Sequence, residues 1–131
     1  MCGGGLRLVG DDMQAVHAAG GMLLFGVSGV FALAALALTA LGGVRPWLEW
    51  ARRILTFLLL MQVFLGALLY ATGDRPAEGL HVLYGALVVG TLPVAHTFSS
   101  EAPAKARSGV LCAAGVVTLG LLWRLLRTGG G

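Results

Sequence analysis

Three histidines are the residues of this sequence with the clearest capacity for chemistry, because they lie in stretches that are otherwise apolar and uncharged. His17 and His81 each lie near the start of such a stretch, and His96 lies near the end of the stretch that contains His81. Imidazole is a common metal ligand, and it exchanges protons near neutral pH. Ionisable residues inside apolar segments are rare, and each one is by default a functional hypothesis.

The uncharged stretches also identify the elements that must position these histidines. Crossing a bilayer core takes about 20 mostly apolar residues, and only helices satisfy their own backbone groups in hydrocarbon. Four uncharged stretches are present, at residues 13–44, 54–73, 79–100 and 108–123. The fourth reaches this length if the side chain of Arg124 extends to the membrane surface. The sequence predicts an all-α membrane protein with one domain over residues 1–131 and flexible glycine-rich tails. Its four transmembrane helices are predicted at residues 14–41, 51–72, 79–99 and 108–127.

The predicted connections are short and rich in glycine and proline, as in Gly73-Asp-Arg-Pro76. Short loops favour an up-down-up-down four-helix bundle, in which the first and third helices run parallel on diagonal corners. His17 and His81 are then within about one turn of the same membrane surface and point across the core at a similar depth. We call this surface, which also holds both termini, the terminal face, and the opposite surface the far face.

Two imidazoles that face each other at one depth are what a six-coordinate haem iron needs, since the porphyrin supplies the other four nitrogens. The absence of a C-x-x-C-H attachment site favours haem b. We therefore predict one haem b per chain with His17 and His81 as its axial ligands. His96 lies about 22 Å further along its helix. It has no partner histidine on the first helix, so it is predicted to be a residue of the far surface.

The neighbours of the two ligands complete the predicted site. Gly21 and Gly85 lie four residues after His17 and His81, where the lack of a side chain lets a flat macrocycle approach the helix backbone. Arginines near the terminal face suit the two haem propionates. The residues predicted to contact the cofactor are Gly20, Gly21, Leu24, Gly66, Tyr70, Tyr84, Gly85, Val88, Gly120, Arg124, Arg127 and Arg75.

Several functional classes are disfavoured. Only 11% of the residues are charged, against about a quarter in ordinary soluble domains. The basic residues lie at helix ends and form no patch, so no nucleic-acid partner is expected. The predicted spans contain no Asp or Glu, which argues against ion-coupled transport. No hydrolytic motif is present and no catalytic residue is assigned, so electron transfer or haem binding is favoured over an enzyme.

The charge distribution also predicts an orientation. The loops of the far face contain a tight group of basic residues: Arg45, Arg52, Arg53, Lys105 and Arg107. By the positive-inside rule the far face is cytoplasmic, so the termini and the haem are extracytoplasmic. The predicted location is the inner (plasma) membrane, crossed several times.

The pattern His17-x-x-Gly20-Gly21, taken with Glu78-Gly-Leu-His81-Val-Leu-Tyr84-Gly85, resembles the small di-histidine membrane cytochromes b. It is also similar to one four-helix half of haem A synthase. The resemblance implies a four-helix unit that clamps haem b between paired histidines near one surface. The chain has three histidines rather than four, so the resemblance implies a single haem. It lacks the acidic partner and the duplicated half of haem A synthase, so it does not imply that enzyme's full activity.

Three functions remain open on the sequence alone. The first is electron transfer, because bis-histidine ligation leaves no open position for oxygen. The second is haem storage, sensing or transfer beside a respiratory oxidase. The third is a structural accessory subunit of a respiratory membrane complex that has no cofactor of its own. The expected partners are the lipid bilayer, haem, and either a respiratory-chain complex or further copies of the chain.

Overall fold

The computed structural model describes residues 4–42 and 45–129, except for the side chains of residues 6 and 7. These residues form four α-helices and no strand: α1 (Gly4–Leu41), α2 (Pro46–Ala71), α3 (Leu80–Glu101) and α4 (Ala104–Gly129). The predicted all-α four-helix bundle is confirmed.

Three helices begin earlier than the sequence predicted. α1 begins at Gly4 and not near residue 14, so the described part of the predicted flexible N-terminal tail is helical. α2 begins at Pro46, whose fixed φ angle suits the first position of a helix. The prediction placed helix ends where charges appear, which marks the edge of the lipid and not the end of backbone hydrogen bonding. Helices can therefore continue beyond the membrane surface.

All four helices are long and apolar enough to cross a membrane, as in a multi-pass membrane protein. Large apolar side chains cover the outside of the bundle: Phe57, Phe64 and Phe98 are each more than half exposed. In water such a surface would be unfavourable, whereas lipid tails solvate it at no cost. The interior is formed mainly by fully buried aliphatic side chains, among them Leu48, Leu55, Leu59, Val88 and Leu92.

The order of the helices around the bundle positions the histidines. α1 and α3 each pack against α2 and α4, and no pairing of α1 with α3 or of α2 with α4 occurs among the described residues. α1 and α3 therefore lie on diagonal corners, as the short loops predicted. The most extensive packing joins α1 to α4, where a Cβ at Gly115 would lie 3.0 Å from the Cβ of Ala32. The α2–α3 contact is the smallest of the four.

Glycines at positive φ end the first two helices. Gly42 has φ 75° and Gly73 has φ 102°, a conformation that closes helix C-termini and that residues with a Cβ rarely adopt. The turn after α2 continues through Asp74, whose backbone N–H donates to the carbonyl of Leu69. This turn returns the chain to the bundle at the terminal face, so that α3 begins level with the first part of α1.

Candidate functional site

His17 of α1 and His81 of α3 meet across the bundle, although the backbones of their helices do not pack together. Their ring centroids are 6.2 Å apart, and the ring planes are inclined by 66°. The two side chains are half-buried. The structure therefore brings together the two residues that the sequence predicted to face each other at one depth.

A hydrogen bond from α4 holds the His81 ring. Nδ1 of His81 lies 3.3 Å from Oγ1 of Thr128, whose hydroxyl donates to the carbonyl of Arg124 at 2.9 Å. Because the Thr128 hydrogen is used in that bond, its oxygen accepts a hydrogen from Nδ1. The Nε2 atom of neutral His81 then has a free lone pair, which is the form that binds a metal.

A different contact, from α2, holds the His17 ring. Nε2 of Gln62 donates to the backbone carbonyl of His17 and also lies 3.2 Å from its Nδ1. The bond to the carbonyl fixes the amide with its NH₂ group toward His17, so Nδ1 is an acceptor here. Metal binding through Nε2 requires the proton on Nδ1, so ligation by His17 requires the Gln62 amide to turn its oxygen toward Nδ1.

Two glycines make room for the imidazole rings. A Cβ at Gly66 of α2 would lie 2.9 Å from Cε1 of His17, and a Cβ at Gly129 of α4 would lie 2.5 Å from Cε1 of His81. Both distances are shorter than an ordinary carbon–carbon contact of about 3.5–4.0 Å. Each ring therefore lies directly against a helix backbone, in a cradle that any other residue would fill.

The centroid separation of the two rings is within the range for two ligands of one metal ion, and their edge-to-face arrangement is also that of a direct aromatic contact. A metal–nitrogen bond of about 2 Å puts each ring centroid about 3 Å from the metal, so two ligating imidazoles in line are about 6 Å apart. The observed separation is 6.2 Å. A direct N–H···N hydrogen bond would bring the centroids closer, to about 5 Å. Among the described residues no three His, Cys, Asp or Glu side chains group together, and haem iron needs only two ligands from the protein.

Other predicted residues surround the histidine pair. Arg124 and Tyr84 lie about one helical turn deeper in the bundle than the pair, and Arg124 is exposed. Nη2 of Arg124 donates to the Tyr84 hydroxyl at 3.4 Å, and the guanidinium lies 5.5 Å from the centre of that ring. Leu24 and Val88 are buried on the side of the pair that faces the membrane interior. Gly85 is buried but has free space, since a Cβ there would meet only Val63 Cγ2 at 3.9 Å.

The glycines on α1 make room for side chains of the neighbouring helices. A Cβ at Gly20 would lie 2.5 Å from Oε1 of Gln62, and one at Gly21 would lie 3.4 Å from Cδ2 of Leu126. Gly20 therefore lets Gln62 reach the backbone of His17. These two glycines support the site through their neighbours.

Four predicted residues lie on the outer surface of the bundle: Tyr70, Arg75, Gly120 and Arg127. Gly120 is exposed, with nothing within 4 Å of a Cβ there. Tyr70 is 47% exposed, with the Arg75 guanidinium 5.3 Å from its ring centre. Arg127 is exposed and lies over the ring of Trp123. The sequence analysis assigned these residues to the site from their distance to the membrane surface along each helix. It did not determine how α2 and α4 are rotated about their own axes. That rotation is set by the buried stripes that include Leu69 on α2 and Leu122 on α4.

Three residues of the site were not assigned to it from the sequence. Gln62 carries a detectable signal, because it is an amide side chain inside an apolar stretch. Thr128 and Gly129 carry none, because they read as the start of a flexible tail, whereas they form the last turn of α4. The backbone N–H of Glu78 donates to the carbonyl of Thr128 at 3.3 Å, which ties this turn to the segment before α3.

Comparisons with known proteins find no family model, no curated protein and no solved structure that matches this chain.

Proposed function

We propose that the chain is an integral membrane protein that binds one haem b between His17 and His81 and serves electron transfer or haem handling. The observation that supports this most strongly is the 6.2 Å separation of the two imidazole rings on diagonal helices. The close packing of Gly66 against the His17 ring and of Gly129 against the His81 ring also supports the proposal. It fixes both rings at positions from which they could bind one metal ion.

The role of the protein residues follows from their contacts. When bound, haem b would supply a one-electron couple, and His17 and His81 would hold its iron and leave no position for oxygen. Thr128 holds His81 with Nε2 free, and Gly66 and Gly129 seat the rings. The Arg124 guanidinium, exposed beside Tyr84, would supply a cation for a propionate of the bound haem.

The position of the site bears on which of the two roles applies. His81 lies in the first turn of α3, its partner Thr128 lies in the last turn of α4, and the neighbouring Arg124 is exposed. A cofactor held there is accessible to a donor or an acceptor protein at the membrane surface, which suits haem transfer as well as electron transfer. A structural accessory subunit without a cofactor would have no need of either property.

We also propose that the protein lies in the inner (plasma) membrane with its termini and the haem on the extracytoplasmic side. The basis is the concentration of basic side chains on the far face, among them Arg52, Arg53, Lys105 and Arg107. The sequence analysis placed these four residues in loops, but they lie near the starts of α2 and α4, because both helices begin before their apolar stretch.

Haemin titration of the detergent-purified full chain and three variants tests the proposed function. His17→Ala and His81→Ala each remove one coordinate bond and are expected to lose haem or keep a weak five-coordinate form. His96→Ala is the matched control and is expected to bind like the wild type. Absence of haemin binding by the wild type would support the accessory-subunit alternative. Loss of binding in His96→Ala together with retention in His81→Ala would move the site to the far face.

A further inference from the structure

A cavity of about 220 Å³ lies at the far face, at the opposite end of the bundle from the histidine pair. It is a cleft lined by the start of α2, the end of α3 and the start of α4. Leu48 and Leu111, both buried, form its apolar part. Its polar lining consists of Glu49, His96, Ser99, Ser100 and Arg107. The proposed function makes no use of these residues.

The negative charge of Glu49 is compensated within the protein. Nε of Arg52 donates to both carboxylate oxygens, at 3.0 and 3.1 Å, and Arg52 is 7% exposed. Nε of Arg53 lies 3.5 Å from the same carboxylate. Nδ1 of His96 is buried 3.4 Å from Glu49 Oε1 and forms no hydrogen bond. Arg52 and Arg53 together neutralise the negative charge of Glu49, so this charge does not offset that of Arg107. The positive charge of Arg107 therefore makes the cavity attractive to an anion.

Arg107 is fixed at the cavity with donors to spare. Its Nε donates to the carbonyl of Ala102 at 3.0 Å, and its Nη2 donates to the carbonyl of Ser100 at 3.4 Å. A guanidinium has five N–H groups, so most of them remain free for a ligand. Its planar fork matches the oxygens of a phosphate group.

The cavity also offers hydrogen-bond acceptors. The hydroxyls of Ser99 and Ser100 donate to backbone carbonyls at 3.0 and 2.8 Å, so their oxygens are left as acceptors toward the cavity. The carboxylate of Glu49 is a further acceptor. A ligand that suits all of these groups has an anionic oxygen for Arg107, hydroxyl groups for the acceptors and an apolar part for the leucines.

The level of the cavity in the membrane indicates where such a ligand comes from. Trp47 and Trp50, exposed by 51% and 63%, lie beside it on α2, and exposed tryptophans mark the headgroup region of a bilayer. Basic pockets between transmembrane helices bind the headgroups of anionic lipids. We propose that this cavity binds the headgroup of an anionic phospholipid that carries free hydroxyls, with Arg107 on the phosphate and Glu49 on a hydroxyl. The proposal is independent of haem binding.

Native mass spectrometry of the delipidated full chain tests the proposal, with phosphatidylglycerol and phosphatidylcholine as probes. The wild type is expected to retain phosphatidylglycerol in preference to phosphatidylcholine. Arg107→Gln is expected to weaken phosphatidylglycerol binding by about fivefold or more. Lys105→Gln removes the same charge from the same face outside the cavity lining, and it is expected to bind like the wild type.

A second pair of variants covers the case in which Arg107→Gln fails to fold. Ser100→Trp fills the cavity from an exposed position without changing any charge, and it is expected to abolish the preference for phosphatidylglycerol. Thr97→Trp, exposed on the same helix outside the lining, is expected to keep it. Equal effects within either pair would overturn the proposal, as would equal binding of the two lipids. Displacement of phosphatidylglycerol by inorganic phosphate at equal concentration would contradict a lipid as the ligand. Haemin binding is expected to be unchanged in all four variants.

Discussion

Replacement of Gly66 by alanine tests how the structure holds the His17 ring. The new Cβ would lie 2.9 Å from Cε1 of His17 and 3.5 Å from its Nε2. A normal carbon–carbon contact is about 3.5 Å or longer, so the ring or the helix must shift by about 0.6 Å or more. The neighbouring Gln62 limits that movement, because its amide is bonded to the His17 backbone.

The expected magnitude follows from this overlap. Adding a methyl group to a tightly packed site costs about 1–3 kcal/mol, and a binding constellation tolerates displacements of only about 0.5 Å. Alanine is the better helix former by about 0.5–1 kcal/mol, so the fold itself is expected to persist. We predict that Gly66→Ala lowers haemin affinity by about tenfold, which corresponds to about 1.4 kcal/mol.

Gly90→Ala is the matched control, since it makes the same change on α3 outside the site. Its new Cβ would have nothing within 4 Å. Haemin titration of both variants at equal helical content by circular dichroism measures the difference. Equal haemin affinity in Gly66→Ala and Gly90→Ala would show that the close contact of Gly66 does not position His17.

Three further predictions concern the surroundings of the site. Gln62→Glu supplies a carboxylate acceptor for the Nδ1 proton of ligated His17, which favours the ferric state. The midpoint potential in a redox titration should therefore fall, by about 59 mV for each tenfold gain in haem affinity of the ferric over the ferrous state. An unchanged or higher potential would show that residue 62 does not accept the Nδ1 proton of His17. Arg124→Gln removes the cation beside Tyr84 and is expected to weaken haemin binding about two- to fivefold. Arg127→Gln loses only its contact with Trp123 and is expected to leave haemin binding unchanged. Equal effects of the two substitutions would show that Arg124 does not belong to the site. A membrane-impermeant thiol reagent is expected to label Cys2, which lies outside the described residues, on intact spheroplasts, and protection of Cys2 would reverse the proposed orientation.

The sequence was sufficient to predict the bundle and the meeting of His17 with His81. Both predictions depend on properties that are local in the chain: apolar length, short connections and position within an uncharged stretch. Short loops determine which helices are neighbours, and two histidines at equal depth on diagonal helices then face each other. No knowledge of side-chain packing was needed for either step.

The rest of the site depends on the rotation of each helix, which the sequence determines only through packing. Gly120 and Tyr70 face outward, because the burial of neighbouring leucines determines the rotation of α4 and α2. Gly129 was missed for a different reason. A glycine-rich end reads as a tail, and only the contact with His81 shows that α4 must continue through this residue.

The absorption spectrum of the detergent-purified wild-type protein, oxidised and reduced, tests the central claim most directly. The separation of 6.2 Å between the rings of His17 and His81 predicts one haem b per chain, six-coordinate and low-spin in both oxidation states. A protein that remains colourless after addition of haemin would contradict the claim. A high-spin spectrum, or two haems per chain, would contradict ligation by this pair of histidines.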